Sequence, residues 1–251
     1  MANQSSKKVR LDKLIFERGL VESREKAKAL ILAGNVLVNE QVVDKAGSLV
    51  KQDDTITLKE RLKYVSRGGL KLEHALHEFH IDVRDAIAMD IGASSGGFTD
   101  CLLQNGAGKV YAIDVGYGQF DLRLRNDRRI VLLEKTNIRH LERDTVKDRI
   151  DIAVIDVSFI SLLKVIPKVL EFLKEQAEIV ALIKPQFEVG RKDVGKGGVV
   201  KDDAKRRAAV DRIKIESENM GLTVAGITES PIKGPKGNVE YLIYLTRRCT
   251  K

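Results

Sequence analysis

The chain has 251 residues, 43% of them hydrophobic, which is enough for one large domain and a small one. Lys and Arg number 44 against 36 Asp and Glu, and this formal +8 fits an acidic partner as well as a charge kept for solubility. Cys101 and Cys249 make no CxxC pair, the start from Met1 to Lys8 is polar, and no apolar run approaches the ~18 residues of a membrane span; a zinc ribbon, a disulfide framework and a transmembrane anchor are therefore not expected, and the cytoplasm is.

Residues 1–59 read as a small α+β module. Leu11, Leu14 and Ile15 fall at helical spacing and Gly19 closes that helix. Ser23 caps a second helix, with Ala27, Leu30 and Ile31 on one face. Gly34-Asn35 turns the chain into short strands at Val36–Asn39, Val42–Val43 and Thr55–Leu58. Residues 1–28 carry eight cations, among them Arg10, Lys13, Arg24, Lys26 and Lys28, against four acids. Clustered on a helix pair, such charges can hold phosphates along an RNA strand, or they can be an ordinary solvated face. The segments Arg10–Leu14, Gly19–Arg24 and Gly34–Asn39 resemble the S-four (alpha-L) RNA-binding module first known from a small-subunit ribosomal protein. That resemblance implies RNA contacts from Arg10, Lys13, Arg24, Lys26 and Lys28, and structural roles for Gly34 and Asn39.

Residues 60–66 are charged and aperiodic, as in a linker, and a hinge is expected at Arg67-Gly68-Gly69. Leu70, Leu72, Ala75, Leu76 and Phe79 then give an amphipathic helix. Lys71 lies near its start, where the helix dipole does not favour a cation. His74, His77 and His80 stand three apart, but no second ligand cluster follows, so no metal is expected.

The rest, residues 67–251, alternates strands and helices. Strands are expected at Ala86–Gly92, Lys109–Val115, Arg129–Glu134, Ile150–Val157, Glu178–Ile183, Leu222–Ile227 and Tyr241–Thr246. Helices are expected at Gly97–Asn105, Phe120–Arg125, Leu162–Leu173 and about Ala204–Met220. The polar, Gly-rich stretch Lys184–Asp203, with Arg191, Lys192, Lys196 and Lys201, reads as a mobile loop that orders over RNA. The fold class is α/β: a Rossmann-like, mostly parallel sheet with one antiparallel strand near its edge, beside the small α+β module.

The stretch Asp90-Ile91-Gly92-Ala93-Ser94-Ser95-Gly96-Gly97-Phe98 is a strand end, a small-residue turn and a helix start, the arrangement that lets backbone approach a cofactor. A second strand ends in Asp114, where a carboxylate can reach a ribose. The turn departs from GxGxxG, and NAD and S-adenosylmethionine both remain chemically possible. Asp90 tips the balance to S-adenosylmethionine, because a carboxylate there can face an amino group or a sulfonium but would repel a pyrophosphate.

Four charged groups are expected at one sheet edge: Asp156 and Lys184 at strand ends, Glu240 opening an antiparallel strand, and Lys71 from the helix before the first strand. Two lysines and two carboxylates suit methylation of a ribose hydroxyl, a very weak acid that needs a base. Lys184 is the expected base, with Lys71 favouring its neutral form and Asp156 and Glu240 orienting the ammonium groups. Amino-group methylation usually presents Asn/Asp-Pro-Pro-aromatic where this chain has Asp156-Val157-Ser158-Phe159, and neither cysteine is placed to be the nucleophile of carbon methylation.

With Val65–Leu72, Asp90–Asp100, Asp156–Ser161, Lys184–Glu188 and Gly237–Glu240, nearly the whole chain resembles the TlyA family, hemolysin-A-like ribosomal RNA methyltransferases with an FtsJ-like catalytic domain. The resemblance implies S-adenosylmethionine-dependent 2′-O-methylation of a cytidine and places the catalytic Lys-Asp-Lys-Glu tetrad of FtsJ-like enzymes on Lys71, Asp156, Lys184 and Glu240. The expected cofactor contacts are Asp90, Gly92, Ser94, Ser95, Gly96, Gly97, Phe98, Asp114, Val115 and Asn137, and Arg67 joins the RNA contacts. Ser94-Ser95 departs from the Ala-Pro of FtsJ-like turns. The chain resembles the shorter family form, associated with large-subunit RNA; the expected partner is ribosomal RNA within ribosomal subunits, met by a monomer. Two rival readings are an RNA-binding ribosome assembly factor with a vestigial pocket, and a cytolysin, for which no amphipathic insertion segment is present.

Overall fold

The structure is a computed structural model, and it describes residues 8–58 and 63–247. Lys7, Cys249 and residues 60–62 of the expected linker lie outside the described residues. The chain divides between residues 61 and 62 into two compact units.

In the first unit β1 (Lys8–Arg10) leads into α1 (Leu11–Glu17), and α2 (Arg24–Leu32) follows. Leu11, Leu14, Ile15, Ala27 and Ile31 are buried, so the helical spacing read from the sequence becomes the core. Ser23 caps α2 by accepting the Lys26 N–H at 3.1 Å. Strands β2 (Val36–Val38), β3 (Gln41–Val42) and β5 (Ile56–Leu58) form an antiparallel sheet with β2 central, and β1 pairs with β4 (Leu49–Lys51). The pair β1–β4 was not expected: each strand has three residues and only Val9 or Val50 faces the core, too little for a two-residue period to be visible. Gly34 takes φ +67°, and Asn39 donates to Asp54 (2.9 Å) and accepts the Thr55 N–H (3.0 Å), the structural roles expected of both.

In the second unit α3 (Gly68–Glu78) precedes β6 (Ile87–Ile91), α4 (Gly97–Gln104), β7 (Lys109–Ile113), α5 (Leu122–Arg125) and β8 (Ile130–Leu133). Then come β9 (Ile150–Ile155), α6 (Ile166–Leu170), β10 (Leu173–Ile183), α7 (Pro185–Glu188), α8 (Asp203–Asn219), β11 (Thr223–Glu229) and β12 (Tyr241–Arg247). The seven strands run β11-β12-β10-β9-β6-β7-β8. In this sheet only β12 runs opposite to the other strands, as expected of the strand near the edge. After β8 the chain returns to the other side of β6, so a switch point opens between the carboxyl ends of β6 and β9. Alternate residues of β6 face opposite layers: Met89 and Ile91 join one core, and Ala88 joins the core beneath α3 and α4.

Three expectations are corrected. Residues 63–66 are not a solvated linker: Tyr64 is 2% exposed and its hydroxyl donates to Glu73, while the Val65 N–H donates to Asp100 at 2.8 Å. A Cβ on Gly69 would lie 2.3 Å from the Tyr64 ring, so that glycine admits the aromatic. The single helix over 162–173 is instead a 3-10 turn at Leu162–Lys164 and the short α6, with Pro167 in its first turn, and Leu173 already pairs with Ile150 in the sheet. The segment 184–203 is not wholly irregular: it holds α7, a 3-10 turn at Arg191–Asp193, and a bridge between Gly195 and Val199.

Candidate active site

At the switch point, two cavities share the walls Gly92, Ser94 and Asp156. The larger, about 820 Å³, has an apolar side of Ile113, Val115, Ile138 and Val165 and polar groups from Asp114, Asn137 and Asp156. The smaller, about 370 Å³, is lined by Lys71, Asp156, Lys184 and Glu240 together with Arg67 and residues of the Gly-rich turn. The four charges thus converge from four separate elements.

They are arranged as two ion pairs. Lys71 Nζ lies 2.6 Å from Glu240 Oε2, and both residues are buried. Lys184 Nζ lies 2.5 Å from Asp156 Oδ1 and donates to Ser158 Oγ at 2.9 Å. Glu240 Oε1 accepts from Gln186 Nε2 at 3.1 Å. Ser158 and Gln186 were not singled out from the sequence, although each stands two residues after a charged partner, Asp156 and Lys184. Glu188, which ends the resembling segment Lys184–Glu188, braces the two loops: its carboxylate accepts from Ser161 Oγ (2.7 Å) and the Leu162 N–H (2.8 Å), and Arg212 Nη2 lies 3.1 Å away.

The turn after β6 explains its glycines. Gly92 has φ +86°, and a Cβ there would lie 2.5 Å from the Asp156 carbonyl oxygen. Only glycine lets the ends of β6 and β9 approach this closely. Gly96, at φ +93°, caps α4; a Cβ there would strike Leu124 and Phe120. Asp114 holds the turn from the side, its Oδ2 accepting the Ser94 N–H at 2.7 Å and its Oδ1 the Gly116 N–H at 2.6 Å. Asn137 Oδ1 accepts the Arg139 N–H at 3.1 Å, and its residue lines the larger cavity with Val115. Ser95, Gly97 and Phe98 line the smaller one.

Two of the expected cofactor contacts line neither cavity, Gly96 and Asp90. Asp90 shares the face of Ala88, so its side chain points under α4 and is fully buried. Its Oδ2 accepts from Thr99 Oγ1 at 2.7 Å, its Oδ1 has no partner among the described residues, and burial pushes its carboxyl up to about 7. Cys101 is buried in the same layer, and its thiol is pushed up to about 12 by that burial, out of reach of nucleophilic chemistry.

The cations of the first unit are less free than their count suggests. Arg10 Nε and Arg24 Nη2 each lie 3.0 Å from a carboxylate oxygen of Asp12, whose side chain is fully buried. The Arg10 hydrogen bond, opposed by burial and aided by Arg24, holds the Asp12 carboxyl down to about 2. Lys13 pairs with Glu17 at 3.3 Å and Lys26 with Glu22 at 3.0 Å, both on the surface; Lys28 is half-buried. Arg67, in the second unit, is exposed. Among the described residues no three His, Cys, Asp or Glu side chains are grouped as a metal site requires; His74 contacts Thr228 Oγ1 at 3.4 Å.

The model of the FtsJ-like methyltransferase family matches residues 64–247, and that of the S4 domain matches residues 9–56. A relative from Bacillus subtilis named "Putative rRNA methyltransferase YqxC" is 49% identical over 96% of this chain and 86% of its own length. The Mycobacterium tuberculosis protein named "16S/23S rRNA (cytidine-2'-O)-methyltransferase TlyA" is 43% identical over 96% of this chain and 90% of its own. Among solved structures, one named "Putative hemolysin from Streptococcus thermophilus" superposes with a TM-score of 0.75 at 42% identity, covering 98% of this chain and 90% of that one. The chain belongs to the FtsJ-like methyltransferase family, in the group of TlyA-type proteins that carry an S4 domain ahead of the catalytic one.

Proposed function

We propose that the protein transfers a methyl group from S-adenosylmethionine to the ribose 2′-hydroxyl of a cytidine in ribosomal RNA, and that its substrate is large-subunit RNA met in the cytoplasm. The observation that carries this reading is the pairing of Lys71 with Glu240 and of Lys184 with Asp156 around one cavity that adjoins a larger one. The family and the named activity of the M. tuberculosis relative support the substrate class. Among the described residues no helix is long and apolar enough to cross a membrane.

The larger cavity suits S-adenosylmethionine by its donor set: an apolar wall for a purine, Asp114 at the tip of β7 for ribose hydroxyls, and backbone at Gly92 that no Cβ obstructs. Gly92, Ser94, Asp114, Val115 and Asn137 would hold it. When bound, the sulfonium supplies an electrophilic methyl carbon. Lys184 would accept the 2′-hydroxyl proton as the oxygen takes that methyl group, with S-adenosylhomocysteine as the product that leaves. Asp156 and Ser158 fix the Lys184 amine in place, and Glu240 with Gln186 fixes Lys71, whose ammonium steadies charge developing on the oxygen. Alignment of oxygen, carbon and sulfur accounts for the rest of the rate.

Mass-spectrometric mapping of ribose methylation in ribosomal RNA from cells with and without the protein tests this reading. One cytidine 2′-O-methyl group that vanishes with the protein and returns on adding it to isolated subunits is expected. Identical maps would overturn the reading in favour of a non-catalytic assembly factor.

A further inference from the structure

We propose that the Gly195–Val200 turn and the Ser230–Asn238 loop form one lip, fastened by the Asn238 side chain, that binds the phosphate backbone of the substrate RNA next to the reacting ribose. This rests on the RNA methyltransferase reading and adds a binding surface to it.

Asn238 is 4% exposed and uses both ends of its amide. Its Oδ1 accepts the Val200 N–H at 3.2 Å, and its Nδ2 donates to the carbonyls of Gly198 (2.9 Å) and Pro235 (3.2 Å). The turn itself is closed by the Gly195 N–H to Val199 carbonyl bond at 3.0 Å, with Gly197 and Gly198 at φ +90° and +81°. Two segments that are 40 residues apart in sequence are thereby one piece.

The lip is cationic. Residues 194–201 and 230–239 hold Lys196, Lys201, Lys233 and Lys236 and not one Asp or Glu. All four lysines are exposed, and among the described residues none has an ion-pair partner. In a chain where so many surface cations are paired with a neighbouring acid, four bare lysines on one lip are ready to take phosphates. Ammonium groups act as point charges that position a backbone without reading its sequence.

The lip also reaches the chemistry. Ile232, Lys233, Gly234 and Pro235 line the smaller cavity with the two ion pairs. A Cβ on Gly234 would lie 2.1 Å from Glu240 Oε1, so the loop backbone rests on that carboxylate. A strand held by the lip therefore presents its ribose to Lys184.

The test uses the full chain and large ribosomal subunits from cells lacking the protein, with S-adenosylhomocysteine present during binding so that no turnover is needed. For the double variant Lys233→Ala/Lys236→Ala, affinity should fall about tenfold near 0.15 M salt, and the slope of log K against log salt should flatten by about 1.5. For Asn238→Ala, KM for subunits should rise about fivefold with a smaller fall in kcat, and calorimetric affinity for S-adenosylhomocysteine, which reports the fold, should stay within about twofold. An unchanged salt slope in the lysine variant would overturn the lip. So would a fall in kcat alone for Asn238→Ala, which would make Asn238 a support of Glu240 only. If Asn238→Ala does not fold, the lysine variant decides. A wild-type protein that binds subunits through the lip yet never methylates them would overturn the methyltransferase reading and leave the lip standing.

Discussion

Asp90→Asn should shift stability in the variant's favour by an amount that grows with pH. Asp90 is fully buried beneath α4 with one oxygen bonded to Thr99 and the other without a partner among the described residues, and burial raises its carboxyl from 3.8 to about 7. A raised acid favours the fold while it is neutral; that advantage is lost as pH climbs from about 4 through about 7, because the unfolded chain ionises first. With its carboxyl raised to about 7, Asp90 costs the fold about 4 kcal/mol at pH 8 and about 1.5 kcal/mol at pH 5. Asn keeps an acceptor for Thr99 and does not titrate, but it leaves an unpaired N–H that costs about 1–3 kcal/mol at every pH. The difference between pH 8 and pH 5 cancels that constant cost, so the stability gained should be about 2.5 kcal/mol larger at pH 8. Urea unfolding followed by far-UV circular dichroism at both pH values measures it, with the first unit identical in the two proteins. Equal differences at the two pH values would refute the buried-acid account.

Two further outcomes follow from the geometry. Asp12→Ala should destabilise the first unit by about 1–2 kcal/mol at pH 7, less than the ~2.5 its lowered carboxyl implies, because Arg10 and Arg24 are half in solvent and screened. Since that carboxyl is held down to about 2, the wild-type advantage should persist above pH 4 and fade as pH falls toward 2; thermal melts across that range check it, and a flat difference would count against the Arg10–Asp12–Arg24 pairing. Gly92→Ala places a Cβ 2.5 Å from the Asp156 carbonyl at a φ of +86°, and should cost about 1–3 kcal/mol and weaken S-adenosylmethionine binding at least about tenfold by calorimetry. Unaltered binding would mean that the close approach of β6 and β9 does not shape the cofactor cavity.

Much of the fold was legible because its central strands β6, β7 and β9 are apolar runs buried on both faces and helices such as α3 carry one apolar stripe. The antiparallel β12 was legible too, and it is what brings Glu240 to the edge occupied by Asp156 and Lys184. Illegible were features set by packing. Tyr64 lies in a charged stretch, and only the space at Gly69 makes it core. Asp90 reads as a strand-tip carboxylate, but the parity of β6 turns it beneath a helix. Arg10 and Arg24 read as free RNA ligands, and the buried Asp12 between them shows only in three dimensions. Asn238 sits in a recognisable Gly-Asn-Val-Glu string, yet its bonds to residues 198 and 200 leave no trace in the local pattern.

The most direct test of the account is Lys184→Ala, assayed for methyl transfer to large-subunit RNA beside calorimetric binding of S-adenosylmethionine. Lys184 is buried against Asp156 and Ser158 and is placed to accept the ribose proton. Transfer should fall by at least about a hundredfold while cofactor affinity changes by less than about threefold. A folded variant that binds the cofactor and still methylates at the wild-type rate would contradict it.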